Sequence, residues 1–262
     1  MSSPFFVLVT FLILPGCGSP AAVEHLTSRE FSFLTRDGVR LVGTSYAPSQ
    51  AGSPGLILVH GDDETRASFE SFARKAQREG YHVLAFDRRG YGESTNMVAG
   101  SVDMNGAGAL LDLEAARLAL LQNGADPDNL AVIGAESGAN LALKYAGPQS
   151  GIQAAVLLTP ERSLDGIAVE ELLQAFGARP VLLMVSTDDV HGLATAESLR
   201  ALAPGHCEVR EYQGSAEGTE ILEAVSTSSG QLLLWLSGII GPEAIERNRS
   251  LDESAAGSVQ TD

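Results

Sequence analysis

The sequence predicts an α/β domain: a mostly parallel, doubly wound sheet of about eight strands with helices on both faces. Three observations predict it. Short, mostly apolar runs such as LILVH at 56–60 and VLLMVS at 181–186 read as strands, the first of the kind buried on both sides. Segments with apolar residues at helical spacing lie between such runs. An antiparallel hairpin pattern comes first, ahead of the repeating strand–helix units.

In chain order, FSFLT, the turn RDG and VRLVGTSYAP make the opening hairpin, and LILVH is the first buried strand. Over 65–79, Phe69, Phe72, Ala73 and Ala76 share one face of a helix. HVLAF follows as a strand, and Met104–Leu121, rich in Ala and Leu, as a long helix. LAVIGA, SGANLALKYA and AAVLLT then read as strand, helix and strand. A short helix over 167–175, the strand VLLMVS, a helix over 193–202, the strand EVREYQ and a last helix over 219–239 complete the pattern. The connection from Thr159 to Pro180 is too short for a large cap domain. In open parallel sheets ligands bind beyond the carboxyl ends of the strands. That gathers the loops 61–68, 134–138, 160–166, 187–192 and 214–218 around one site.

A chain of 262 residues with 44% hydrophobic residues has enough apolar material for one large core. The net charge of −16 leaves no basic stripe to displace phosphate counterions, so nucleic acid is excluded as a partner and the acidity is read as solubility through self-repulsion. The expected division is a signal peptide at 1–16, a lipid-anchored tether at 17–30, the α/β domain at 31–240, and a disordered acidic tail at 241–262. The apolar run Phe5–Leu14 is too short to span a bilayer and suits a signal-peptide core. It ends in LPGC, which resembles the bacterial lipobox and implies export across the inner membrane and lipidation of Cys17 at the cell envelope. An ordinary cleaved secretory signal and an uncleaved segment are the alternatives. With Cys17 lipidated, Cys207 has no partner for an intrachain disulfide.

The stretch IGAESGANLAL at 133–143 runs from strand through a small-residue turn into a helix. Two frames of small-x-nucleophile-x-small fit it: Gly134-Ala135-Glu136-Ser137-Gly138, with Glu136 at the apex, and Ala135-Glu136-Ser137-Gly138-Ala139, with Ser137 there. Together with LILVHG and GYHVLAFDRRGYGES (Asp87, Arg89, Gly90, Gly92 and Ser94 in D-x-R-G-x-G-x-S), the segment resembles the α/β-hydrolase family, in its dienelactone hydrolase-like and esterase/peptidase-like branch. RPVLLMVSTDD and VREYQGSAEGTEIL continue the resemblance to about residue 240. The family's helix register favours the Glu136 frame, since a one-residue slip would turn the apolar face by about 100°.

The resemblance implies an acid at Asp189, with Asp188 as a rival, and a base position at 217 where the family's histidine is replaced by Glu217. It also implies oxyanion donors from the backbone of Asp62 and Ser137, although Asp62, Asp63 and Glu64 place negative charge there. Of the histidines, only His191 falls on a site-facing loop as a surrogate base; His60 is read as structural. Convergence of Glu136, Glu217 and Asp189 should raise at least one carboxyl pKa. No cofactor is implied. The reading is a non-catalytic, envelope-anchored pseudohydrolase that binds an unknown small ligand or envelope protein. The alternatives are a hydrolase of small esters or amides using Ser137 or Glu136 with a surrogate base, and a cation-binding carboxylate site for Ca²⁺ or Mg²⁺.

Overall fold

Alternation of core-facing side chains along buried strands sorts the apolar residues to two sides of one sheet. In the computed structural model, which describes residues 26–95 and 106–241, Leu56 and Leu58 join one apolar cluster and Ile57 and Val59 the other. The expectations for the signal peptide, Cys17, the first helical residues from Met104 and the acidic tail lie outside the described residues.

The strands are β1 (Ser28–Leu34), β2 (Arg40–Tyr46), β3 (Ser53–Val59), β4 (His82–Phe86), β5 (Ala125–Ala135), β6 (Ile152–Leu158), β7 (Ser163–Leu164), β8 (Ile167–Ala168), β9 (Val181–Ser186) and β10 (Cys207–Tyr212). The helices are α1 (Glu70–Arg78), α2 (Ala107–Gln122), α3 (Ser137–Ala146), α4 (Val169–Phe176), α5 (Val190–Leu202), α6 (Glu220–Ala224) and α7 (Ser228–Ser237). Eight strands form the main sheet in the order β1-β2-β4-β3-β5-β6-β9-β10. β1, β2 and β4 pair antiparallel, and every pair from β4 through to β10 is parallel. The expected fold class is therefore observed. Residues of α1, α6 and α7 pack into one apolar cluster, and those of α2, α3, α4 and α5 into the other.

From β3 the chain first moves outward to β4, then returns to place β5 on the other side of β3. Strand order thus reverses between β3 and β5, and the crevice this opens lies at their carboxyl ends. The D-x-R-G-x-G-x-S segment braces this end. The Asp87 carboxylate accepts from the backbone N–H of Arg66 (2.8 Å) and Glu93 (2.9 Å) and from the Arg66 guanidinium. A side chain at Gly92 (φ +47°) would collide with that carboxylate. Ser94 donates to the Asp87 carbonyl (2.8 Å), and Arg89 forms a buried pair with Asp112 (2.8 Å) that ties β4 to α2.

Several elements differ from expectation. The last residues of the expected tether, Ser28–Glu30, belong to β1, because backbone pairing with Thr44–Tyr46 extends the strand past its apolar residues. The single helix expected over 219–239 is broken into α6 and α7. Ser228 Oγ donates to the carbonyls of Ile221 and Val225, and Ser229 Oγ to that of Leu222, bonds that compete with a continuous helix. The short ribbon β7–β8 was not expected, although Asp165-Gly166 (φ 49° and 78°) is the dipeptide that two-residue hairpin turns favour.

Candidate active-site cavity

The turn between β5 and α3 is held by what its glycines leave out. A Cβ at Gly134 would strike the Gly138 carbonyl and Ala139 backbone, and one at Gly138 would strike the carbonyls of Val59 and His60. Between them Glu136 takes φ 51°, ψ −122°, a conformation that side chains disfavour, and Ser137 is the first residue of α3. Glu136 therefore stands at the apex. Ser137 is buried and its Oγ donates to Asp62 Oδ1 (2.7 Å), so it does not line the cavity that His191 lines.

Asp62 follows His60-Gly61 at the end of β3. Its carboxylate accepts from Ser137, from Arg88 Nη2 (2.7 Å) and from the Tyr91 hydroxyl (3.0 Å). Burial opposes its ionisation, but the hydrogen bonds from Ser137 and Arg88 outweigh burial and hold the carboxyl below its ordinary range. Glu64 does not face away. One of its oxygens accepts from the Gly61 N–H (3.1 Å) and the other from the Thr219 hydroxyl. A backbone donor beside the elbow is thus already occupied by a carboxylate. Sequence reasoning placed Glu64 near the site but missed this bond, which depends on Thr219, 155 residues away.

Asp189 caps the start of α5 through Oδ1, which accepts from the Gly192 N–H (2.9 Å). Its Oδ2 is buried and makes no hydrogen bond. Asp188, the rival acid, is exposed; it accepts from Thr187 and does not line the cavity. Glu217 is exposed in the loop between β10 and α6 and lines the cavity. That loop is tied to the end of β6 by Thr159, whose hydroxyl accepts from the Gly218 N–H (3.2 Å). Thr159 sits at φ 48°, which is strained for a β-branched residue, and sequence reading did not single it out.

These residues surround a cavity of about 740 Å³. Asp63, Glu136, Glu161, Asp189 and Glu217 line it, against Arg162 and His191. Burial, reinforced by Glu64, Glu217, Glu161 and Asp62, pushes the Glu136 carboxyl up to about 7. Burial and Asp62 also raise Glu161, with Arg88 opposing. His191 lies in the first turn of α5, not on the loop where it was expected, because the helix starts at its Asp189 cap.

His60 is buried. Its Nδ1–H donates to the Gly61 carbonyl (2.7 Å) and its Nε2 accepts from the Arg88 N–H (3.1 Å), while burial first and Arg88 second lower its pKa to about 4. It is a neutral structural residue. Among the described residues no group of three or more His, Cys, Asp or Glu is placed to hold a metal ion. No described helix is long and apolar enough to cross a membrane.

A family model described as "Alpha/beta hydrolase family" matches residues 56–236. A curated relative, "Thiohydrolase aneE" of Aspergillus aculeatus, is 38% identical over 81 residues, and the match spans 25% of that protein's length. The alpha/beta hydrolase GrgF from Penicillium sp. superposes with a TM-score of 0.71 at 16% identity, covering 82% of this chain and 99% of that one. A dienelactone hydrolase from Anabaena variabilis gives 0.65 at 18% identity, covering 81% and 99%. The Pyrococcus furiosus esterase Pf2001 gives 0.62 at 20% identity, covering 86% and 96%.

Proposed function

We propose that this chain, which belongs to the alpha/beta hydrolase family, is a catalytically silent member that keeps the fold's cavity as a binding site for a small ligand. One observation carries the reading: the elbow apex is Glu136, while the buried Asp189 Oδ2, which a histidine would engage, has no partner. Acyl transfer on this fold requires a base of near-neutral pKa to take the nucleophile's proton and later to activate water. Glu217 occupies the position of that base in the sequence pattern, and a carboxylate there adds negative charge beside Glu136. Even an ester formed on Glu136 would lack a base for its hydrolysis. Membrane attachment through Cys17 is part of the proposal and rests on the LPGC motif.

The test is hydrolysis of p-nitrophenyl acetate and of a simple acyl thioester by the full chain; the thioester is included because of the local likeness to a thiohydrolase. The wild type is expected to match the uncatalysed rate, and Glu136→Ser/Glu217→His to exceed it by about a hundredfold, the scale of general-base assistance. Robust wild-type turnover that Ser137→Ala abolishes would overturn the reading. For attachment, Cys17→Ser should move the protein from the membrane to the soluble fraction; retention at the membrane counts against lipidation.

A further inference from the structure

We propose that the Glu136 carboxyl is a proton-operated latch between the 61–64 loop and the 217–219 loop, and that it sets how far the cavity opens. The inference concerns conformation and holds whether or not turnover survives. Glu136 Oε2 lies 2.5 Å from where a Cβ would stand on Gly61, and Oε1 lies 2.9 Å from the same point on Gly218. The carboxyl is thus seated against the backbone of both loops at once. Glu64 joins the same loops, accepting from Gly61 on one side and Thr219 on the other. Thr159 fixes Gly218 to the end of β6.

Closure of the loops therefore brings Glu136 among acids from every neighbouring segment. Asp62, Asp63 and Glu64 follow β3, and Glu161 follows β6. Asp189 starts α5, and Glu217 precedes α6. The balancing cations are Arg88, which is engaged by Asp62, together with Arg162 and, when protonated, His191 at the cavity wall. With its proton, Glu136 is neutral and the closed arrangement carries no added repulsion. Without it, a further anion is enclosed among acids that outnumber the cations, and opening relieves the repulsion. The raised pKa of about 7 puts the change in the neutral range.

Hydrogen exchange on the full-length protein, corrected for intrinsic rates, tests this over 61–64 and 217–219. Between pH ~5.5 and ~8.5, wild-type protection in both loops should fall about tenfold with a midpoint near neutrality, while Glu136→Gln should change less than about threefold. Glu64→Gln removes one repelling charge and should move the wild-type midpoint to lower pH. A pH-independent wild type, an equal fall in Glu136→Gln, an unmoved midpoint in Glu64→Gln, or an equal loss of protection across β5 would each overturn the latch.

Discussion

Glu136 links backbone strain, burial and charge at one position. Its carboxyl binds a proton more readily folded than unfolded, the ordinary value of 4.5 rising to about 7. Stability from that proton is therefore fully present below the ordinary value and is lost as pH rises through about 7. Accordingly, Glu136→Gln should raise the melting temperature relative to wild type at pH ~8.5 and leave it nearly unchanged at pH ~4, as thermal melts at the two pH values will report. A neighbouring prediction is purely steric. Gly138→Ala forces a Cβ into the His60 and Val59 carbonyls and should destabilise by about 2 kcal/mol or more in denaturant unfolding, since backbone cannot move aside as a flexible side chain can. Small residues at 134, 135, 138 and 139 admit two frames, and the apex was legible only through the family's helix register beyond them, while the position of Asp189 followed from the strand before it. The Glu64–Thr219 bond and the inward turn of Ser137 towards Asp62 were not legible, because both join loops distant in sequence.

At the scale of elements, the join of α3, α4 and the sheet depends on a residue outside the cavity. Arg179 donates to the carbonyls of Ala146, Gly147, Gln149, Ile152 and Phe176, and its guanidinium stacks on the Phe176 ring at 3.9 Å. Arg179→Met keeps much of the stem but strands several part-buried acceptors. Urea unfolding should show a loss of about 3 kcal/mol with an unchanged denaturant slope. Mostly apolar strands buried along their whole length, such as HVLAF and VLLMVS, could be read to the residue, because burial on both faces leaves no competing pattern. Elements decided by hydroxyl bonding or by one turn dipeptide, the α6–α7 break and the β7–β8 ribbon, escaped a reading based on hydrophobic period.

For the molecule as a whole, the charge of −16 is spread over a surface with few cations to answer it. Self-repulsion of this kind is screened by ions, so raising sodium chloride from about 0.05 M to about 0.5 M should raise the melting temperature; a fall would show that surface ion pairs matter more than net repulsion. The strand reversal between β3 and β5 sets the cavity at the end of the sheet, and the elbow turn is part of that scaffold whatever residue occupies it. At φ 51°, ψ −122° any side chain is held at a cost of about 1–3 kcal/mol that glycine escapes. Glu136→Gly would release that strain and remove a half-buried carboxyl in one change. The elbow is therefore a gauge: the free energy of unfolding that this substitution recovers measures what the molecule forgoes to keep an acid at its most awkward backbone position.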